Sequence, residues 1–227
     1  MINNKITLTL LLLIVGINIS LAQSQHKIDA LADMICKELN KQIANGKSVD
    51  VNEFYTTIID EQKIEMELAR KTFIRLQTTC DSFSKLAHDR YERDEDWKIH
   101  QTRPKSSISK KEAKKFFKQQ SLYYKEGDGK LTKVNFDKKF WYETFPDESF
   151  SKLHLKMIDK RNFKLVFIES NNYLKKNMSK KGDEYFYELL EVNDEYYKLS
   201  VTVPNRKHYF TFKMYHKPVK PRVSKNI

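Results

Sequence analysis

The chemistry available to this chain has to come from two cysteines, six histidines, thirty carboxylates and a surplus of lysine. Cys36 and Cys80 have no neighbouring His and no Gly-rich turn, so neither is marked as a nucleophile, whose reactivity needs a lowered thiol pKa. They read as a disulfide, with two buried free thiols as the alternative. His26, His88, His100, His154, His208 and His216 are dispersed and follow no metal-ligand spacing. His154 and His208 fall on candidate strands, where folding could bring them together or beside a carboxylate such as Glu169. A zincin helix, a nucleophile elbow, a Walker loop and a dinucleotide-binding Gly turn are all absent. No catalytic residue, metal or cofactor is therefore expected. A glycosidase-type pair of carboxylates is spatial and leaves no local spacing, so a pair among thirty acids would not show at this level.

Charge is the second source of chemistry. The net charge is +12, and the excess of Lys and Arg lies beyond residue 90. It gathers in Lys110, Lys111, Lys114, Lys115 and Lys118, and in a tail with Lys217, Lys220, Arg222 and Lys225. Such clusters suit anionic lipid headgroups or acidic glycans through a salt-dependent field, or serve only as solvated surface. Nucleic acid is not an expected partner, because the aromatics that would stack on bases are needed in strand cores.

The start of the chain says where this chemistry would operate. Lys5 is followed by an apolar run from Leu8 through Val15 to Ile19 and then by Ser20-Leu21-Ala22. This is the pattern of a secretory signal peptide over residues 1–22 with a mature start at Gln23; an uncleaved anchor is the alternative. No Cys follows the cleavage site, and no later segment is apolar enough to span a bilayer. The expected location is secreted or periplasmic, where an oxidising environment favours the Cys36 to Cys80 bond.

Two kinds of element must position these residues. Over residues 23–90, Ile28, Leu31, Ile35, Leu39 and Ile43 form a helical stripe stopped by Asn45-Gly46. A second helix begins near Ser48 or Asp50, with Phe54, Ile58, Met66, Ala69, Phe73, Leu76, Cys80 and Phe83 on one face and a break expected near Asp60. Residues 91–115 read as a charged linker, and residues 217–227 as the basic tail. From Phe116 to residue 216 the apolar period shortens to two. The expected strands run over 116–124, 130–136, 139–145, 150–158, 163–169, 184–192, 195–203 and 208–215, joined by hairpin-length turns. The fold class is α+β: a disulfide-linked helical hairpin, then an antiparallel meander of about eight strands, closed as a barrel or strongly curved. Alternation points Leu153, Leu155, Met157, Phe163, Leu165, Phe167, Phe210, Phe212 and Met214 to the interior, where they fill it or leave a cavity for one small ligand.

Ser151-Lys152-Leu153, Phe163 through Asn171, Lys181-Gly182-Asp183 and Glu195-Tyr196-Tyr197 resemble a group of uncharacterised small secreted bacterial proteins with a lipocalin-like β domain, over about residues 116–216. Members often carry a Cys before the aromatic corresponding to Phe163, where this chain has Asn162, so no thiol-dependent activity carries over. The resemblance implies a lipocalin-like barrel and an exported location, and supplies no catalytic residues. The expected function is a non-enzymatic binding module for a small apolar molecule or an anionic envelope surface. The alternatives are an envelope-directed hydrolase with a spatially assembled site and an interaction protein with a filled barrel.

Overall fold

A computed structural model describes residues 4–88, 96–204 and 206–219, with side chains from Ser24 onward and none for His88. The leader assigned to residues 1–22 has its side chains outside the described residues, as do residues 89–95 of the linker and Lys220, Arg222 and Lys225 of the tail. The chain forms two compact units, Met1–Phe83 and Ser84–Ile227.

The first unit is helical. α1 (Asn4–Ala44), α2 (Val51–Glu61) and α3 (Met66–Thr79) are followed by α4 (Asp81–His88), which straddles the boundary. Ile28, Ala32, Ile35 and Leu39 of α1 are buried. The stripe is rotated slightly from the expected one: Leu31 is half-buried and Ile43 is exposed. α1 ends as Gly46 takes φ 75°, a left-handed conformation that glycine adopts without steric cost. Lys47 N–H then donates back to Gln42 C=O at 3.2 Å. Asp50 caps α2 by accepting from the Asn52 and Glu53 amides. The break expected near Asp60 falls after Glu61, where Lys63 takes φ 51° and Glu65 caps α3. Cys36 and Cys80 are joined across a sequence separation of 44, with Cα atoms 5.7 Å apart. Tyr55, Phe73 and Phe83 meet edge to face at 5.1 to 6.0 Å between centroids. The buried Arg75 guanidinium donates to Asp29 at 2.9 Å.

The second unit contains, among the described residues, nine strands that pair antiparallel. They are β1 (Trp97–His100), β2 (Leu122–Lys125), β3 (Leu131–Phe136), β4 (Phe140–Thr144), β5 (Phe150–Met157), β6 (Asn162–Ser170), β7 (Glu184–Val192), β8 (Tyr196–Thr202) and β9 (Tyr209–Tyr215). The order is β1-β9-β2-β3-β4-β5-β6-β7-β8, and β8 also pairs with β9. Strands β2 to β9 thus close into an eight-stranded up-and-down barrel with β1 as an additional strand. Closure removes the sheet edges that an open curved sheet would leave.

Two helices belong to this unit, α5 (Lys110–Phe116) and α6 (Tyr173–Met178). The stretch read as linker differs from that expectation, since it holds β1 and α5. The strand expected from Phe116 begins only at Leu122. The reason is local: Ser109 and Glu112 form a reciprocal capping box, which satisfies amides at the helix start. Ala113 and Phe116 then turn inward. Phe116 lies 5.3 Å from Phe136, 5.0 Å from Tyr197 and 6.0 Å from Phe163, centroid to centroid. α5 therefore plugs the barrel end where β2 begins. Ahead of it, Ser107 and Ile108 amides donate to Leu190 C=O at 2.8 and 2.9 Å, beside a bulge in β7.

The closing seam is narrow, because β2 meets β9 only at Tyr123 and Tyr215. Side chains supplement it. The buried Asp96 carboxylate accepts from Tyr215 Oη at 2.6 Å and lies 3.1 Å from Lys125 Nζ and 3.3 Å from Lys213 Nζ. Burial would raise its pKa, but the Tyr215 hydroxyl and the two ammonium groups hold it below the usual carboxylate value. Trp97 stacks on Phe212 at 4.6 Å and donates to Lys125 C=O at 2.6 Å. These contacts fasten β1, β2 and β9 where the ladder is short.

Candidate functional site

Period-two alternation decides which side chains enter the barrel. Leu153, Leu155, Phe163, Leu165, Phe167, Phe212 and Met214 are buried as expected. Met157 is not interior but 50% exposed: it is the last residue of β5, and although it pairs with the fully buried Phe163, the strand ends there and its side chain is left at the rim. Phe210 is half-buried near the start of β9, against the His208 ring at 5.0 Å. The interior toward α5 is occupied by side chains: Phe136 stacks on Trp141 at 5.2 Å, and Phe163 on Tyr187 at 5.1 Å.

At the opposite end, where β2 turns into β3, the inward rows carry polar groups. Leu122 and Tyr124 point inward from β2, and the same alternation carries Glu126 to that face. Glu143 does so from β4, with Phe145 just after it, and Thr132 from β3; Trp141 and Tyr187 belong to the aromatic layer toward α5, from which the Trp141 indole reaches Glu143. Tyr124 Oη lies 2.9 Å from Glu126 Oε1 and 3.3 Å from Glu143 Oε1. Thr132 Oγ1 donates to Glu126 at 3.1 Å. Trp141 Nε1 donates to Glu143 at 3.3 Å.

Lys175 completes the group from α6, in the connection between β6 and β7. Its Nζ is 3.1 Å from Glu126, 5.9 Å from the Tyr124 ring centroid and 5.5 Å from that of Phe145. An ammonium held by one carboxylate and two aromatic faces is a cation box.

The electrostatics follow from this packing. Burial and the neighbouring Glu126 raise the Glu143 pKa, more than Lys175, Trp141 and Tyr124 lower it. Burial works against the Lys175 ammonium, but the Glu126 and Glu143 carboxylates outweigh it and hold its pKa above the ordinary value. Burial, with both carboxylates adding to it, keeps Tyr124 and Tyr187 protonated well above the usual phenol range. Two phenols kept neutral by burial thus surround the Lys175 ammonium and the Glu126 and Glu143 carboxyl groups.

The arrangement is suited to holding a cation or a hydrogen-bonding ligand. Here the Tyr124 hydroxyl sits between the carboxylates.

The other sequence candidates fall elsewhere. Lys110, Lys111, Lys114, Lys115 and Lys118 are all exposed around α5, at the end of the barrel opposite the carboxylates. His154 is exposed on β5 and stacks on Phe140, whereas His208 is buried near the start of β9, so the two do not converge. Among the described residues, no group of three or more His, Cys, Asp or Glu could hold a metal ion. The helical unit has an open groove of about 510 Å³ beside Met34, Glu38, Asp50, Glu53, Phe54 and Ile58. Two of its carboxylates have structural duties, Asp50 as the α2 cap and Glu38 as acceptor from Gln42.

Glu126 and Glu143 were not singled out by sequence reasoning, although a signal was present. In Leu122-Tyr123-Tyr124-Lys125-Glu126 and Trp141-Tyr142-Glu143-Thr144-Phe145, the face carrying the apolar residues also carries an acid. A carboxylate on an inward face costs stability unless paired. Comparison with protein-family models, curated proteins and solved structures finds no match, so the reading of this site rests on its geometry.

Proposed function

We propose that the protein is an exported, non-enzymatic, lipocalin-like binding module whose ligand is taken at the α6 end of the barrel. The observation that carries this reading is the convergence of Glu126, Glu143, Tyr124 and Lys175 at one end of an interior that is otherwise apolar. A few placed polar groups above an aromatic floor are what a small-ligand site requires. Filling of the α5 end by Phe116, Phe136 and Phe163 favours a polar or charged ligand over the small apolar one expected from the strand pattern. Export is supported by the leader-like segment and by the disulfide, which persists in oxidising compartments. Among the described residues, no helix is long and apolar enough to cross a membrane.

The Trp141 indole N–H donates to Glu143, which makes its NMR resonance a reporter inside the site. The full chain is titrated separately with glucose, glycine, butyrate and n-butylammonium at constant ionic strength. At least one is expected to shift the Trp141 resonance saturably, and the shift should vanish in Glu126→Gln/Glu143→Gln. No response to any of them would identify the cluster as a closed internal network and overturn the proposal.

A further inference from the structure

We propose that the α5 end of the barrel is a docking surface for an anionic lipid bilayer, with Met157 and Ile158 inserting at the headgroup level and the surrounding lysines contacting the headgroups. These residues are separate from the group at the α6 end, so the two readings stand or fall independently.

Three segments meet at this end. Neighbouring strands alternate in direction, so the β3–β4 and β5–β6 turns open where α5 enters. Phe117, which caps α5, lies 6.2 Å from Phe136 at the end of β3 and 5.4 Å from Phe163 near the start of β6, centroid to centroid. The Leu155 amide of β5 donates to Lys139 C=O of the β3–β4 turn at 2.8 Å.

Their charge has one sign. Lys138 and Lys139 are exposed in the first turn, and Lys156 and Lys160 flank the second. The acid of each turn faces the backbone: Asp137 accepts from the Lys139 and Phe140 amides, and Asp159 from those of Arg161 and Asn162. α5 adds the exposed lysines from Lys110 to Lys118 against Glu112, which is held in the capping box. The exposed Asp194 and Glu195 belong to the β7–β8 turn, four strands around the barrel from the β3–β4 turn. The lysine side of this end is a positive field that suits anionic headgroups.

Between Lys156 and Lys160 the hairpin presents Met157 and Ile158, 50% and 55% exposed. Apolar exposure rimmed by charge marks an interaction surface. Leu174 of α6 is equally exposed, but Asn172 ties its helix to Ser149, beside Asp147 and Glu148, whose charge repels such headgroups. Met157 and Ile158 also decide between a bilayer and a soluble acidic polymer. A polyanion needs the lysines alone, whereas aliphatic groups beside lysines gain by burial at the boundary between headgroups and acyl chains. Because Asp159 already fixes the turn, little ordering entropy opposes insertion.

The test places tryptophan at matched exposure at the two ends of the full chain, as Ile158→Trp and Leu174→Trp, with the wild type giving the baseline from Trp97 and Trp141. Vesicles of phosphatidylcholine, with or without phosphatidylglycerol, carry brominated acyl chains as quenchers. Ile158→Trp is expected to be quenched at least twofold more than Leu174→Trp or the wild type, only when phosphatidylglycerol is present. The excess should shrink in about 1 M salt, where the screening length falls to about 3 Å, and vanish when Lys138→Gln, Lys139→Gln, Lys156→Gln and Lys160→Gln are added. In the wild type, amide exchange over residues 156–160 should slow with the same vesicles, a readout that needs no substitution. Equal quenching at both ends, equal quenching by vesicles of phosphatidylcholine alone, or unchanged exchange would each overturn the proposal. Heparin binding that is lost in the lysine variant, with no vesicle quenching of Ile158→Trp, would make the partner an acidic polymer and overturn it as well.

Discussion

Replacing Phe116 by alanine is expected to destabilise the barrel by about 3–5 kcal/mol, the range for truncating a fully buried aromatic. Phe116 is fully buried, and it is the point at which α5 enters the interior. Its ring contacts Phe117, Phe136, Phe163 and Tyr197, so truncation leaves a cavity lined by strands β3, β6 and β8 that cannot collapse independently. The urea midpoint, followed by tryptophan fluorescence, measures the loss, because Trp97 and Trp141 are the only tryptophans and both lie in the barrel unit. Lys114→Ala, on the exposed face of the same helix, should change stability by less than about 0.5 kcal/mol.

Breaking the Cys36 to Cys80 bond is expected to cost the helical unit about 2–4 kcal/mol. The chain-entropy model gives roughly 4 kcal/mol for a loop of this length, and native strain or residual structure in the unfolded chain reduces it. The bond ties the middle of α1 to the residue that ends α3, and Cys80 is fully buried. Cys36→Ala/Cys80→Ala should melt at lower temperature in far-UV circular dichroism. Adding a reductant should bring the wild type toward the variant and leave the variant unchanged.

The sequence made the barrel legible wherever hydrophobic residues alternate without interruption. Strands β3 to β9 lie within a residue or two of their expected bounds because Leu153, Leu155, Phe163, Leu165 and Phe167 can be buried together in only one register. The region before them was not legible, for a composition-level reason. Lysine crowds residues 110–118 and suggests linker, while Phe116 and Phe117 suggest a strand. The Ser109 and Glu112 capping signature, which marks a helix start there, is only two residues. Met157 shows the limit of alternation itself, which assigns a face but not where along the barrel the interior ends.

The candidate site was half-legible. Its carboxylates are inward by the same alternation that placed the core, but their grouping depends on barrel closure, which brings β2, β3 and β4 under a connection some thirty residues further along the chain. Lys175 has no sequence signal for its role. It is one lysine among many, and only the fold directs it onto Glu126.

Whether these carboxylates are present for a ligand or for the fold is measurable in one comparison, the stability of wild type and Glu143→Gln from pH 4 to 8. Burial raises the Glu143 pKa, so its favourable contribution is complete below the unfolded value of about 4.3 and is lost as the pH rises through the folded value. A glutamine does not titrate, and its single carbonyl can accept from both Trp141 and Tyr124, which donate to one oxygen of Glu143. If the acid is kept for binding, Glu143→Gln will be at least as stable as the wild type at pH 8, with the difference moving in its favour as the pH rises. A variant less stable than wild type by about 2 kcal/mol or more at pH 8, the cost of breaking a needed buried interaction, would show that the carboxylate holds the barrel together and contradict a site kept for a ligand.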